Sequence, residues 1–453
     1  MFTYLKLKNF KSLKDVTLNL KETQKRTKNF IAIYGENGCG KTNLVLAFDA
    51  IKKIMISKVN DQAWKNLPRD YQDTKEYMEK MDIFAGMFDT FTDLEKLRMI
   101  DEKEPTEIEY GFSINDIEGY YYIKFDTRVL EERLYYLENQ KRNIHFEIKT
   151  NNDKIEKNLN NKIFNGAKYR TELEEQIDKY WGRHTFLSII FEELVRKNKS
   201  FMDENISKNL IDVVNDFSQI IIKHDKIASI PSLEIAFNRF NIEEGKIDAR
   251  NAELLDKYEK VLRIFFTQGY ADIKDVYYEK QENEYEIEYK LYFKKLIANK
   301  IRNIYYKEES NGTRRILKLF NDMIETINGK TVIIDEIDNG IHDLLIKNII
   351  MSLKDEITGQ LIITTHNTLL LETLPAKELY IITVDLNGNK EINCINDYNF
   401  KIQKHNNVRD LYFKGLFGGI PSSDYIDFEE IRVVAYITLL VIVAIIISLQ
   451  VEK

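Results

Sequence analysis

Eight residues near the N-terminus place glycines, a lysine and a threonine at the spacing of a phosphate-binding loop: Gly35, Glu36, Asn37, Gly38, Cys39, Gly40, Lys41 and Thr42. An apolar run precedes this loop and a helical pattern follows it. Successive backbone N–H groups and the helix N-terminus would therefore form a cradle for an anion. Lys41 would reach the β- and γ-phosphates of a nucleotide, and the Thr42 hydroxyl would bind Mg²⁺. A chance turn rich in glycine is the alternative, and the strand–loop–helix context disfavours it.

A second motif ends an apolar run, where Asp335 and Glu336 follow the residues Val-Ile-Ile. If that run is a buried strand, both carboxylates lie at the carboxyl edge of a sheet, where ligands bind in open α/β folds. Asp335 is then suited to the Mg²⁺ shell, and Glu336 to a base that polarises an attacking water. Alone, the pair also fits a solvated acidic turn. Beside a phosphate-binding loop it predicts a hydrolytic site.

His366 and a serine–glycine pair complete the candidate set. His366 follows another apolar run, residues 361–365. A neutral imidazole there would contact the γ-phosphate or hold the water, and a surface histidine at a strand end is the alternative. Ser310 and Gly312 stand at the start of a helical pattern. They offer a hydroxyl and free N–H groups to an anion, although Ser310 would serve equally as an ordinary helix cap.

The elements that must position these residues follow from hydrophobic periodicity. Alternation predicts strands over residues 2–10, 16–20, 107–125, 130–148 and 275–293. Apolar runs predict further strands over residues 29–34, 331–335, 361–365, 379–384 and 391–395. Helical periodicity covers residues 43–56, 313–327 and 344–357. The pattern is α/β at both ends of the chain, with a mostly helical stretch between them.

Composition limits the class of protein. The 453 residues are 43% hydrophobic and 12% aromatic, which excludes global disorder. The net charge of -7 disfavours a globally basic nucleic-acid binder but leaves room for a local basic groove. Two cysteines, Cys39 and Cys394, cannot build a disulfide framework, and the N-terminus has no apolar signal segment. We therefore expect a cytoplasmic chain.

In their order along the chain, the motifs resemble those of the ABC-type AAA ATPases of the SMC-like and OLD-like group, in particular a bacterial subset associated with phage defence. Residues 35–42 resemble the Walker A motif, residues 309–315 the signature loop, Asp335 with Glu336 the Walker B motif, and His366 the H-switch. The segments LKNFKSLKDVTLNL near the N-terminus and YFKGLFGGIP near the C-terminus also resemble this subset. The resemblance covers well over half of the chain.

The resemblance implies that ATP and Mg²⁺ bind at a head-to-head homodimer interface, as an ATP sandwich. Ser310, Gly312 and Arg314 of one subunit would then close on the nucleotide held by the P-loop of the other. It also implies that the catalytic residues are Lys41, Glu336 and His366, and that the metal ligands are Thr42 and Asp335. Residues 338–342 resemble the D-loop, and no glutamine that would serve as a Q-loop is evident.

The expected fold is an α/β P-loop NTPase head of the ABC type, interrupted by a mainly helical insertion. Residues 1–150, with a small helical insert at about 57–106, and residues 271–430 would form the head, and residues 151–270 the insertion. The insertion lacks the sustained a/d heptads of a long coiled coil. Residues 431–453 would form an apolar helix. Its uncharged stretch, residues 433–449, is just long enough to predict a membrane anchor, and a buried terminal helix or strand is the alternative.

The sequence therefore predicts an ATP-hydrolysing, nucleotide-gated dimer that acts as a sensor or motor in anti-phage defence, with a separately encoded nuclease or toxin as effector. A DNA-repair or DNA-clamping ATPase is the first alternative, and a membrane-transport ATPase is the second. No zinc-binding spacing and no Ser-His-Asp signature is evident. The basic stretch at residues 401–409 would contact phosphate or a partner, or form a solvated helix start.

Overall fold

The computed structural model describes residues 1–65, 94–138, 141–224, 241–398, 407–420 and 427–434. The chain divides into two units, Met1–Gly419 and Ile420–Lys453. The described residues of the first unit form three β-sheets and the helices that cover them. In the second unit, residues 428–434 are helical.

The strands are, in chain order, β1 (Phe2–Phe10), β2 (Leu13–Asn19), β3 (Phe30–Tyr34), β4 (Thr106–Ile114), β5 (Ile117–Phe125), β6 (Val129–Glu138), β7 (Lys141–Asn151), β8 (Lys154–Leu159), β9 (Ile221–Lys223), β10 (Glu244–Asp248), β11 (Ile273–Glu282), β12 (Glu286–Ile297), β13 (Lys300–Tyr305), β14 (Thr331–Ile334), β15 (Gln360–Thr364), β16 (Leu379–Val384) and β17 (Lys390–Cys394). The α-helices are α1 (Lys41–Lys65), α2 (Leu94–Leu97), α3 (Ala167–Tyr180), α4 (Phe186–Arg196), α5 (Lys199–Asn205), α6 (Lys208–Ser218), α7 (Ala252–Gly269), α8 (Asn311–Ile327), α9 (Asp343–Leu353), α10 (Thr368–Thr373) and α11 (Val408–Phe413).

A six-stranded sheet in the order β17-β16-β3-β15-β14-β9 carries the candidate motifs. Its strands run parallel except β17, which is antiparallel to β16. Every residue of β3, β14 and β15 is buried. Strands buried on both faces read as continuous apolar runs, which is why their positions were visible in the sequence. Because β3, β14 and β15 are parallel, the residues that follow them meet at one edge of the sheet.

A seven-stranded antiparallel sheet, in the order β2-β1-β4-β5-β6-β7-β8, packs against the helix that follows the P-loop. The Tyr110 hydroxyl of β4 donates to the Ala47 carbonyl of α1. The Phe2 and Phe48 rings lie 5.0 Å apart between β1 and α1. Fully buried Gln360 on β15 accepts from the Phe2 backbone N–H and donates to the Phe2 carbonyl, at 2.8 and 2.9 Å. These contacts attach β1 to both α1 and the six-stranded sheet.

The stretch expected to be a helical insertion, residues 151–270, contains α3 to α7 but also β8, β9 and β10. Strand β9 pairs with β14 in the six-stranded sheet, and α4 and α6 contact α1. The sequence pattern of this stretch predicts helix, and the three residues of β9 are too few to interrupt that pattern. The third sheet is built on β12, which pairs with β10, β11 and β13. The domain boundaries remain a prediction.

Several expectations fall on residues that the structure does not describe. The predicted membrane anchor, residues 433–449, lies outside the described residues except at its first two positions. The greater part of the small insert at residues 57–106, and of the basic stretch at 401–409, lies outside them as well. Among the helices within the described ranges, none combines the length and the apolar character that crossing a membrane requires.

Candidate functional site

The glycine-rich loop connects β3 to α1, as the sequence predicted. Gly38 and Gly40 have positive φ angles of 79° and 112°, which side chains other than glycine rarely allow. A Cβ atom on Gly35 would lie 2.6 Å from the Cys39 Sγ, so this position also requires glycine. Buried Lys41 donates from Nζ to the carbonyls of Gly35 and of the next residue, at 2.8 and 3.0 Å. The ammonium group is thus held by its own loop.

Asp335, at the end of β14, connects the loop to the rest of the sheet edge. The Thr42 Oγ1 donates to the Asp335 Oδ2 at 2.8 Å, and the Thr364 hydroxyl donates to the Oδ1. The His224 Nε2 lies 3.1 Å from the same Oδ2. Burial would raise the pKa of Asp335, but hydrogen bonds from His224, Thr364 and Thr42 outweigh burial and hold that pKa below its usual value. The carboxylate is therefore charged at neutral pH.

The donor set at Asp335 fits Mg²⁺. A threonine hydroxyl and a carboxylate stand 2.8 Å apart at the entrance of a phosphate-binding loop. Mg²⁺ prefers oxygen ligands and usually takes only one or two from the protein, with water and phosphate oxygens completing its shell. Within the described ranges, no group of three or more His, Cys, Asp or Glu side chains is placed to hold a metal ion. Thr42 and Asp335 are the residues that would hold Mg²⁺ here.

Glu336 has a fixed backbone and an exposed side chain. Its φ angle is +47°, in the left-handed region. Its N–H donates to the Thr364 Oγ1 at 2.8 Å. Its carbonyl accepts from the Asn339 N–H at 3.0 Å and from the Arg315 Nη2 at 2.8 Å. The exposed carboxylate adjoins Asp335 at the sheet edge, where it can act on a water beside a bound phosphate.

His366 follows β15 at the same edge. Its backbone N–H donates to the Asp338 Oδ2 at 3.1 Å, which ties it to the turn after β14. The side chain is exposed at the surface, yet neighbouring atoms partly desolvate the ring. This desolvation, together with the positive charge of Lys41, lowers the pKa of His366 below its ordinary value. The imidazole is therefore neutral at pH 7 and can either donate or accept a hydrogen bond.

Ser310 and Gly312 lie at the start of α8. Exposed Ser310 caps the helix, because its Oγ accepts from the Thr313 N–H at 3.1 Å. A Cβ atom on Gly312 would lie 2.8 Å from the Gly340 carbonyl oxygen, so glycine allows α8 to pack on the turn after β14. Among the hydrogen bonds of the described residues, none joins Ser310 or Gly312 to the P-loop. The structure thus brings Thr42 and Asp335 into contact at the sheet edge, and no described hydrogen bond joins Ser310 to them.

Several polar residues at this edge were not identified from the sequence. His224 lies in a stretch whose pattern predicts helix, and the pairing of β9 with β14 brings it to Asp335. The Ser12 Oγ accepts from the Asn43 Nδ2 and from the Lys390 Nζ, each at 2.6 Å, beside the P-loop. The Lys390 Nζ also lies 3.3 Å from the Gly38 carbonyl, and burial lowers the pKa of Lys390. No local motif marks these positions.

Comparison with known protein families identifies the class. Residues 30–372, about three quarters of the chain, match the family described as "AAA domain, putative AbiEii toxin, Type IV TA system". The chain therefore belongs to this AAA family, a class of nucleotide-binding P-loop NTPases. This confirms the resemblance to ABC-type AAA ATPases and the α/β P-loop NTPase fold that the sequence predicted. A search of curated proteins finds no match.

Solved structures similar to the chain include SMC head domains. A crystal structure of an SMC head bound to the C-terminal winged-helix domain of ScpA is 13% identical, with a TM-score of 0.41, and the match covers 86% of this chain and 96% of that one. The SMC head domain from Thermotoga maritima is 13% identical, with a TM-score of 0.40 and coverage of 87% and 98%. An SMC head with an extended coiled coil, bound to the C-terminal domain of ScpA derived from Pyrococcus furiosus, is 14% identical, with a TM-score of 0.41 and coverage of 86% and 95%.

Proposed function

We propose that the chain binds Mg-ATP in the loop of residues 35–42 and hydrolyses it. One observation carries this proposal: the P-loop Thr42 hydroxyl donates to Asp335 at 2.8 Å, with Glu336 and His366 at the same sheet edge. Hydrolysis of the γ-phosphate uses a phosphate cradle, a metal held by oxygen ligands and a residue that positions the attacking water.

The reaction would be an in-line attack of water on the γ-phosphate. Lys41 would leave its loop carbonyls and neutralise charge on the β- and γ-phosphates. Glu336 would orient the water and accept its proton, while His366 would contact the γ-phosphate. When bound by Thr42 and Asp335, Mg²⁺ supplies further positive charge against the phosphate oxygens. The fixed backbone of Glu336 suits a base that must hold one position during the reaction.

The proposed active unit is a homodimer. Ser310 and Gly312 stand at the N-terminus of α8, where backbone N–H groups and the helix dipole favour an anion. No described hydrogen bond connects them to the P-loop of their own chain, and Ser310 is exposed. We therefore place Ser310, Gly312 and Arg314 of one subunit against the nucleotide of the other.

The proposed cellular role is that of an ATP-driven sensor or motor in anti-phage defence, acting with a separately encoded toxin or nuclease. The family description, which names a putative toxin and a type IV toxin–antitoxin system, supports this role. The test is phage challenge of bacteria that express the chain with its neighbouring genes. Protection that persists in a Lys41→Ala variant would contradict an ATP-driven role.

The biochemical proposal is tested on the purified full chain. Lys41→Ala should abolish measurable ATP binding in equilibrium titration, because the phosphates lose their main cationic contact. Lys53→Ala is the matched control, since Lys53 is on the same helix and pairs with Asp49 at 3.2 Å, away from the loop. Glu336→Gln should retain ATP binding and lose hydrolysis. ATP affinity in Lys41→Ala within twofold of the parent would refute the P-loop assignment, and normal turnover by Glu336→Gln would refute the base.

A further inference from the structure

The turn that carries Glu336 adopts a conformation that needs outside support. Glu336 has a positive φ angle, which costs free energy for any residue other than glycine. Its carbonyl accepts two hydrogen bonds, from the Asn339 N–H within the turn and from the Arg315 Nη2 on another element. The Asn339 contact is local to the turn. The arginine contact attaches the carbonyl of Glu336 to α8, while the Glu336 N–H is attached to the Thr364 Oγ1 of β15.

Arg315 is suited to this task by its place on α8. It is half-buried in the second turn of a 17-residue helix that packs on β14. The 2.8 Å bond to Glu336 spans 21 positions of sequence, so it depends on the packing of α8 against the sheet. The adjacent Arg314 instead donates to the Asn311 Oδ1 within the helix. Gly312 places the same helix against the Gly340 carbonyl, so α8 touches the turn at two points.

We propose that Arg315 is a positioning residue for hydrolysis: its guanidinium fixes the carbonyl of Glu336, so that the Glu336 carboxylate stays aimed at the attacking water. The inference rests on the proposed ATPase function and gives Arg315 a role in the reaction that is exerted through Glu336. The planar guanidinium offers several donors in fixed directions, whereas a lysine offers a compact ammonium on a flexible stem. Lysine at this position should therefore restore the contact only in part.

The test compares two substitutions at Arg315 with a matched control in the full chain. Arg315→Met removes the donor and keeps much of the apolar stem, and Arg315→Lys keeps the charge. Lys318→Met is the control, because Lys318 lies on the same helix and lines a surface cavity together with Arg315, and no described hydrogen bond connects it to Glu336. Equilibrium ATP binding and single-turnover hydrolysis at saturating ATP are measured for each variant, together with the thermal unfolding midpoint.

We expect the loss of Arg315 to slow ATP hydrolysis without weakening ATP binding. Arg315→Met should bind ATP within about twofold of the parent and hydrolyse it about 10- to 100-fold more slowly, because small displacements of a catalytic group have effects of this size. Arg315→Lys should recover part of the rate, and Lys318→Met should match the parent.

Two outcomes would overturn the inference. One is hydrolysis by Arg315→Met within twofold of the parent. The other is a loss of ATP binding and of thermal stability that matches the loss of hydrolysis rate. That result would indicate a structural role only. Glu336→Gln, assayed in parallel, distinguishes failure of the Arg315 inference from failure of the proposed hydrolytic mechanism. If that variant hydrolyses ATP normally, the proposed base has failed, whatever the Arg315 variants do.

Discussion

At the scale of single residues, Asp335 is the residue around which side chains from several segments of the chain meet. It is 5% exposed and receives hydrogen bonds from side chains on α1 and β15, with a histidine following β9 at 3.1 Å. Three separate segments of chain therefore hold one carboxylate in place. Such outer contacts orient a metal ligand and raise its affinity for the ion. His224 belongs to this outer layer, and its side chain is only 7% exposed.

His224→Ala should raise the Mg²⁺ concentration needed for half-maximal ATP hydrolysis by about tenfold, the size expected when a ligand loses an orienting partner. His224→Gln keeps a donor group and should show a smaller increase. The measurement is a Mg²⁺ titration of activity at fixed, saturating ATP. Equal Mg²⁺ requirements in His224→Ala and the parent would remove His224 from the metal site.

At the scale of elements, the sequence predicted the buried strands best, because their apolar residues form continuous runs. The runs expected at residues 29–34, 331–335 and 361–365 are the strands Phe30–Tyr34, Thr331–Ile334 and Gln360–Thr364. A strand covered on both faces needs unbroken apolar side chains, so its pattern is visible without knowledge of its neighbours. The same pattern placed the residues after these strands at the sheet edge, because a polar residue that ends an apolar run marks that edge.

The contacts that depend on distant pairing could not be predicted in this way. β9 has three residues, and its partner β14 follows it by more than 100 positions. Nothing near His224 in the sequence indicates that Asp335 lies beside it. The bond between Arg315 and Glu336 likewise depends on how α8 packs against β14. Local patterns thus identify the elements and the motif residues, while tertiary packing determines which side chains surround them.

Glu132 joins two elements and should make their stability depend on pH. Its fully buried carboxylate, on β6, accepts from the backbone N–H groups of Phe186 and Leu187 at the start of α4 and from the Tyr121 hydroxyl. Burial raises the pKa of Glu132 to about 7, and these hydrogen bonds oppose the increase only in part. The folded chain therefore binds a proton that the unfolded chain releases near pH 4.5.

Because the folded chain binds this extra proton, its stability should decrease as the pH rises. The contribution of Glu132 is fully present below about pH 4.5 and is lost as the pH rises through about 7, a change on the order of 3 kcal/mol. Glu132→Gln imitates the protonated form, so the difference in unfolding midpoint between parent and variant should change between pH 5 and pH 8. Glu131→Gln, on the same strand but half-exposed, is the control. Parallel pH profiles for the parent and Glu132→Gln would contradict this account.

At the scale of the whole molecule, the candidate site residues belong to two structural elements, the sheet edge and the N-terminus of α8. Lys41, Thr42, Asp335, Glu336 and His366 lie along one sheet edge, whereas Ser310 is exposed at the N-terminus of α8. An exposed helix N-terminus favours negative charge. In a homodimer, each Ser310 would meet a triphosphate bound to the other chain, and ATP would then hold the two chains together. This proposed arrangement would make assembly sensitive to the charge of residue 310.

Ser310→Asp should block ATP-driven dimerisation and leave ATP binding by each chain within about twofold of the parent. Aspartate caps a helix as well as serine does, so α8 is retained, but its charge would repel the triphosphate of the partner. Ser310→Asn has nearly the same shape and no charge, and it should dimerise as the parent does. Both are tested by sedimentation velocity with ATP in a Glu336→Gln background, in which hydrolysis does not release the dimer. Equal dimer fractions in the Asp and Asn variants would show that residue 310 does not face the nucleotide of a second chain.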